Sequence, residues 1–352
     1  MRAPAAAFAL PGPPAEPAPF GRGHINATYR VEAGGQAFLL QRINPDVFPD
    51  PEGLMANLER VTEYLRGRLV AEGFADPHRR GLTLVPTREG RTWVRDEGGA
   101  LWRCLVFIEG TCSLPKAESA TQAETAAFAF GNFLRRLEDL PAPPLGETIP
   151  HFHDGRRRLA DFHRPLAGDA FNRAREARIE VDALLQDADQ AALLQDLREH
   201  GALPLRPTHQ DTKLDNVLLD ERTGEALCVV DLDTVMPGLA LGDFADLARS
   251  ACSAAAEDDT HPRVQVELFA ALVRGFDRGL GAGFTALERE LLVPATQAFA
   301  RVLALRFLTD HLEGDRYFRI HRPGQNLERA RAQLALLRAL RAAEGELTRA
   351  AR

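Results

Sequence analysis

Two hydrophobic periods divide the chain. From Phe20 to about Phe107 apolar and polar positions mostly alternate, the period of half-buried strands. GHINATYRV and QAFLLQRI are two such runs separated by EAGG, which predicts a hairpin. LTLVPT, RTWVRD and LWRCLVFI predict the rest of an antiparallel sheet. Between them, PDPEGLMANLERVTEYLRGRLV sets Leu54, Leu58, Val61 and Leu65 at helical spacing. After Glu109-Gly110 the helical period takes over. ATQAETAAFAFGNFLRRLEDL is a long amphipathic helix ended by PAPP, and 155–200, 243–257, 262–280, 285–314 and 325–345 also carry a helical pattern. The exception is 208–236, which holds two short apolar strands.

The pattern therefore predicts a two-lobed α+β chain with no internal repeat. A flexible Pro-rich leader (1–19) precedes a small antiparallel β-rich lobe (20–107), expected to bind nucleotide. A hinge at about 107–112 leads into a large, mostly helical lobe (108–352) carrying catalysis and substrate binding.

Composition narrows the function. The chain has 352 residues, enough for two lobes with a substantial core, with 45% hydrophobic and 26% charged residues. Its net charge is −7 and its arginines are scattered among acids, which disfavours general nucleic-acid binding. No apolar run approaches the roughly 18 residues of a membrane span. The first residues have one charge, Arg2, and a short apolar stretch cut by prolines, a poor match to a secretory signal. Cys104, Cys112, Cys228 and Cys252 show no C-x-x-C spacing, against a metal or disulfide framework. The cytoplasm fits best, and oligomeric state stays open.

Candidate chemistry gathers in THQDTKLDNVLLD, residues 208–220. Only Lys116 and Lys213 are lysines among the 43 Lys+Arg, so a lysine two residues after Asp211 calls for a reason. A compact ammonium serves as a point charge on phosphate where a planar fork does not. NVLLD and LCVVD are strands joined by the turn-rich ERTGEA. A hairpin centred between Thr223 and Gly224 sets Asn216 opposite Asp231, with Asp233 further along the same face and Asp211 in the loop before the first strand. An Asp carboxylate and an Asn carbonyl suit a hard divalent cation, and a carboxylate left off the metal can orient or deprotonate an attacking hydroxyl. Gly21, Gly23, His24 and Asn26, in GRGHIN, could lay backbone N–H groups over phosphates, although the third glycine of G-x-G-x-x-G is Asn26.

H-x-D-x-K-x-x-N, an apolar strand, a turn and V-D together resemble the catalytic loop and metal-binding Asp of the protein-kinase-like fold. HQDTKLDNVLLD, CVVDLDT and GDFADLAR are similar to the aminoglycoside phosphotransferase family. GHINATY, FLLQRIN, DPEGLMANLERVTEYL, FIEGT, ETIPHFHD, DLDTVMPG and RFLTDHLEGDRYF resemble its branch that includes N-acetylhexosamine 1-kinases. The resemblance spans about 20–345. It implies an ATP- and Mg²⁺-dependent kinase in which Asp211 is the base or orienting carboxylate, Lys213 stands near the γ-phosphate, and Asn216 and Asp231 hold Mg²⁺. It also implies that His209 braces the loop, that Asp243 caps a helix or steadies the loop, and that Phe107 to Gly110, with Glu109, meet adenine.

One departure stands out. Where kinases place a phosphate-contacting lysine on the third strand this chain has Gln41, with Arg42 on the opposite face. The glutamates of the next helix fall away from its apolar stripe while Asn57 flanks it, so a neutral Gln41–Asn57 contact is expected in place of the usual ion pair. For the acceptor, Arg306, Asp310 and Tyr317 in ALRFLTDHLEGDRYF offer polar groups and an aromatic face, and Asp233 and Thr234 lie near the catalytic end. His151 and His153 lack a third metal ligand and predict a surface turn. Trp93 and Trp102 predict sheet packing.

These readings converge on a phosphotransferase with an alcohol group as acceptor, first a sugar such as an N-acetylhexosamine at its anomeric hydroxyl. An aminoglycoside, an amino alcohol or another small metabolite stays open, as does a catalytically silent kinase-like binder. No D-F-G or A-P-E pattern follows Asp231, which disfavours a protein kinase.

Overall fold

A computed structural model describes residues 2–21, 25–253 and 261–352. The predicted Gly23 and His24 sites lie outside the described residues, as does the end of the helix expected at 243–257. The chain divides into two compact units. The N-terminal unit comprises 1–112, 136–150 and 218–237, and the C-terminal unit comprises 113–135, 151–217 and 238–352. Two later stretches thus join the unit that the alternating pattern bounded at 107.

In the N-terminal unit, strands β1 (Ala18–Pro19), β2 (Ala27–Ala33), β3 (Gln36–Arg42), β4 (Trp93–Arg95) and β5 (Leu101–Val106) form one antiparallel sheet in the order β1-β2-β3-β5-β4. The β2–β3 hairpin turns on Gly34 and Gly35, at φ 57° and 79°. Two consecutive positive φ values match the right-handed strand twist and strongly favour glycine there. LTLVPT does not form a full strand; it touches β5 through the single bridge Leu84 to Leu105.

Alternation places Val31, Ala33, Phe38, Leu40, Trp102 and Cys104 in one apolar cluster. The leader packs against the sheet: Ala5 and Phe8 insert into that cluster, and Phe8 is 1% exposed. A run that reads as proline-rich is pinned by burial of one large aromatic, worth roughly 1.5–3 kcal/mol. Helix α1 (Pro51–Ala71) starts at Pro51 behind Asp50, whose side chain accepts from Gly53 N–H at 2.9 Å. It buries Leu54, Leu58, Val61, Leu65 and Leu69, the stripe its spacing predicts.

The C-terminal unit is helical. Helix α2 (Ala120–Leu137) lies in it for most of its length, followed by α3 (Gly155–Gly168), α4 (Ala240–Ala251), α5 (Val266–Leu280), α6 (Ala286–Leu312) and α7 (Gln325–Ala342). Glycines on α2 and α5 let two backbones touch: a Cβ on Gly131 would lie 2.3 Å from the Phe276 carbonyl oxygen. A Thr285/Glu288 capping box opens α6. By length and composition α6 could cross a membrane, contrary to the expectation that no run comes near. Its most apolar window has 78% of its residues buried inside the unit, so here it is a core helix.

Candidate active site

The loop 208–216 is fixed from behind, by groups in its own unit. Thr208, His209 and Thr212 are fully buried. Asp243, in the first turn of α4, accepts the backbone N–H of His209 at 2.7 Å and of Gln210 at 2.9 Å. Thr212 gives its hydroxyl to the Asp243 carbonyl at 2.6 Å and its N–H to Asp246 at 3.0 Å, and Asp246 is paired with Arg249. The His209 ring packs on Phe130 and Phe133, and its Nδ1 accepts the Asp211 N–H at 3.2 Å. His209 therefore braces the loop. Asp243 steadies it; the N-cap of α4 is Leu239. Burial pushes the Asp243 carboxyl up to about 7, against the two backbone N–H groups that favour its charge.

This frame presents Asp211, Lys213 and Asn216. Asp211 Oδ1 meets Lys213 Nζ at 2.8 Å, and Asn216 Nδ2 donates to Asp211 Oδ2 at 3.3 Å and to its carbonyl oxygen at 2.8 Å. Burial works to raise the Asp211 pKa, but the Lys213 ammonium and its bond, with His209 and His153, outweigh it and hold the carboxyl below its ordinary value. The Lys213 side chain keeps 44% of its surface exposed, so its charge also faces solvent.

His153, expected on a surface turn, is turned inward. Its Nε2 is 2.8 Å from the Gln210 carbonyl oxygen, its ring packs against Phe152 and Phe299, and its buried Nδ1 has no hydrogen-bond partner. His151 stays outside, 60% exposed, beside Asp154. Only the alternation within His-Phe-His hinted at opposite directions.

Further along the same unit, Arg306 lies over the rings of Phe152, Phe318 and Tyr317, at 4.8, 5.3 and 5.6 Å, and donates to the Tyr317 hydroxyl at 3.3 Å. Tyr317 is exposed. Asp310, expected to meet substrate, is spent internally: it accepts the N–H groups of Arg316, Tyr317 and Phe318 and the Asn326 amide. Three backbone donors converge on one carboxylate because the chain leaving α6 turns back around it.

In the N-terminal unit, β6 (Thr111–Cys112) pairs with β7 (Val217–Asp220), which hydrogen-bonds in turn to β8 (Ala226–Val229). The β7–β8 turn differs from the predicted register. Asp220 N–H donates to the Glu225 carbonyl and Gly224 N–H to that of Asp220, so cross-strand numbers sum to 445 rather than 447. Asp231 lies beyond the strand, at φ 61° in the left-handed region, and the ladder does not set it opposite Asn216. Gly224, at φ 71°, is the last residue of the four-residue turn that these bonds close.

Asp233, expected to contact substrate, is buried and committed. It pairs with Arg103 at 2.5 Å and accepts from Asn26 Nδ2 at 2.6 Å. Thr234 is buried beside it. Arg103 also donates to Gln41 Oε1 at 2.9 Å, Gln41 donates to Thr28 at 3.1 Å, and Asn26 Oδ1 accepts the Asn44 N–H. The expected Gln41–Asn57 contact is absent. Asn57 instead binds both backbone groups of Gly146 and the Val235 carbonyl. Arg103 thus takes the side of Gln41 that Asn57 was expected to fill, and its place among apolar residues in LWRCLVFI gave no sign of it. Arg42 is exposed on the opposite face, where its charge reaches Asp96.

At the expected hinge, Phe107 donates its N–H to Ala37 O and packs against Phe20, while the Glu109 carbonyl accepts from Arg79. Gly21 has φ 79°.

The model of the phosphotransferase enzyme family matches residues 16–287, more than three quarters of the chain. The chain belongs to that family. Solved structures share this phosphotransferase's fold along nearly its whole length. The microcompartment-associated aminopropanol kinase matches at TM-score 0.62 and 15% identity, covering 99% of this chain and 98% of that one. Spectinomycin phosphotransferase, solved with ADP and spectinomycin, matches at TM-score 0.58 and 11% identity, covering 93% and 92%. An aminoglycoside phosphotransferase from Alicyclobacillus acidocaldarius matches at 0.56 and 16%, covering 97% and 95%. At these identities the likeness establishes the two-lobed kinase-like fold and leaves the acceptor open.

Proposed function

We propose that this phosphotransferase moves the γ-phosphate of ATP to a hydroxyl of a small acceptor, with Asp211 orienting that hydroxyl and taking its proton. The observation that carries the reading is the Asp211 carboxylate itself. It is held below its ordinary pKa by Lys213, which keeps it ionised, and its loop is fixed by Asp243 and Asp246. A preorganised carboxylate beside an ammonium suits a reaction in which charge builds on phosphoryl oxygens. Lys213 is the group assigned to that charge.

Mg²⁺ fits the donors available. Asn216 faces two acceptor oxygens of Asp211, so its amide nitrogen is committed to them and its Oδ1 remains as an oxygen donor. By the family resemblance, Asn216 Oδ1 and the Asp231 carboxylate are the two protein oxygens assigned to the ion. Among the described residues no group of three or more His, Cys, Asp or Glu forms an all-protein cage. A site of two protein oxygens completed by phosphates and water is the ordinary Mg²⁺ arrangement, and when bound the ion neutralises phosphate charge.

For the acceptor, an N-acetylhexosamine or related sugar phosphorylated at the anomeric oxygen is the first reading. Its support is the branch-like stretches of sequence and the aromatic and arginine groups around Arg306 and Tyr317. The aminopropanol and spectinomycin enzymes that share the fold act on other classes, and these form the alternative. The test is Mg²⁺-dependent ADP release across hexoses, N-acetylhexosamines, aminoglycosides and amino alcohols, with Asp211→Asn as control. Turnover of a sugar, lost in the variant and with product phosphate on the anomeric carbon, is expected. Turnover of an amino compound alone would move the acceptor, and nucleotide binding with no turnover of any hydroxyl compound would overturn the reading.

A further inference from the structure

The C-terminal unit contains a cavity of about 260 Å³ between α3 and the end of α6. Its charges do not cancel. Of the acids on its wall, Asp161 is taken by Arg157 at 3.1 Å and by Arg158 at 3.5 Å, and Glu313 is taken by Arg164 at 3.2 Å. Asp310 is enclosed by three backbone N–H groups and Asn326. Arg306, also on the wall, makes no ion pair among the described residues; it contacts three rings, one of which, Tyr317, also accepts a hydrogen bond from it through its hydroxyl.

Two guanidiniums are held in place here rather than left to wander. Arg306 is clamped by aromatic faces, and Arg158 gives two N–H groups to the Phe152 carbonyl. The same Phe152 carries the Arg306 guanidinium over its ring. Both guanidiniums line the same cavity and both contact Phe152. Burial and then Arg306 push the Arg158 guanidinium down to about 10, and burial and then Arg306 push His153 down to about 3. Arg158 shares Asp161 with Arg157, and Arg306 has no acid of its own among the described residues, so the wall keeps positive charge that an anionic ligand could neutralise. A chain of contacts links the cavity to the catalytic loop: Arg306 lies over the Phe152 ring, and the next residue, His153, bonds the carbonyl oxygen of Gln210, the residue before Asp211.

We propose that the cavity at Arg158 and Arg306 is an anion subsite of the acceptor pocket, so that the preferred acceptor carries a carboxylate or phosphate besides its reacting hydroxyl. This rests on the kinase reading above. An acidic sugar fits it; a cationic amino acceptor does not. A planar fork can take two oxygens of either group at once, which gives orientation as well as attraction.

Calorimetric titration of the full-length protein, saturated with Mg²⁺ and a non-hydrolysable ATP analogue, tests this. The probes are pairs differing by one group: a hexose and its uronic acid, an N-acetylhexosamine and its 6-phosphate, and inorganic phosphate alone. The acidic member is expected to bind about ten-fold tighter or better, as a bidentate charged contact does. The preference is expected to weaken with salt, to vanish in Arg306→Gln, to shrink in Arg158→Gln and to survive in part in Arg306→Lys. Unchanged analogue affinity and melting temperature qualify each variant, and Arg158→Gln serves if Arg306→Gln does not fold. Equal or tighter binding of the neutral members would overturn the subsite. Binding of inorganic phosphate with no preference among the paired sugars would make it a free-anion site and overturn its role in the acceptor pocket. Asp211-dependent turnover of neutral sugars without acidic preference would sink the subsite and leave the kinase reading. An acidic preference with no Asp211-dependent turnover would do the reverse.

Discussion

Arg103 and Asp233 meet at 2.5 Å with each side chain only 3% exposed, 130 residues apart in sequence. Neither charge can be left alone at that depth. Gln41 and Asn26 occupy further hydrogen-bonding positions on the pair, so the expected neutral contact is replaced by a buried ion pair with neutral flanks.

Arg103→Leu should therefore destabilise the protein by about 3–5 kcal/mol, because Asp233 would stay buried without its cation. Adding Asp233→Leu should recover part of that loss, with a coupling above about 1 kcal/mol in urea unfolding. Additive effects of the two substitutions would mean the pair is not coupled.

Lys213 should be tested against its only plausible substitute. Lys213→Ala is expected to lower kcat by about 10²–10³ with little change in melting temperature, as loss of a transition-state charge does. Lys213→Arg should restore little, because a fork does not replace a point charge. Asp211 is held below its ordinary pKa chiefly by Lys213, against burial, so in Lys213→Ala the acid limb of the rate profile should move to higher pH. An unmoved limb would detach Lys213 from Asp211 in solution.

Two buried groups near the loop should give opposing pH slopes of stability. His153 is depressed from 6.5 to about 3 by burial and by Arg306, so its contribution is present above 6.5 and lost as pH falls toward 3. Asp243 is raised from 3.8 to about 7 by burial, so its contribution is present below 3.8 and lost as pH rises through 7. Across the range they share, the wild-type curve should be shallow. His153→Gln should leave stability falling with pH, and Asp243→Asn should leave it rising. Denaturant titrations at several pH values measure both slopes, and the same slope in both variants would contradict the assignment.

Gly238 approaches the back of the loop so closely that a Cβ there would lie 2.3 Å from Thr208 Oγ1 and 2.8 Å from Gln210 Nε2. Gly238→Ala should cost about 1–3 kcal/mol by overpacking and should slow turnover, since Thr208 and Gln210 flank His209. A variant as stable and as active as wild type would show that the loop has slack.

Local pattern was enough to locate the periodic elements and the charged residues of the loop 208–216. Alternation and helical spacing act over a few residues, and they located the hairpins, the stripe on α1 and the cluster Asp211, Lys213 and Asn216 within six positions. Tertiary structure decided the partners. Arg103 finds Asp233, Asn57 finds Gly146, and His153 turns toward Gln210, each across dozens of residues where no local period applies. It also decided the β7–β8 register, because the turn closes between Asp220 and Glu225 rather than where composition alone centres it. The burial of the proline-rich leader belongs with these. Flexibility was the reading from composition, while Phe8 reaches a core built by strands far along the chain.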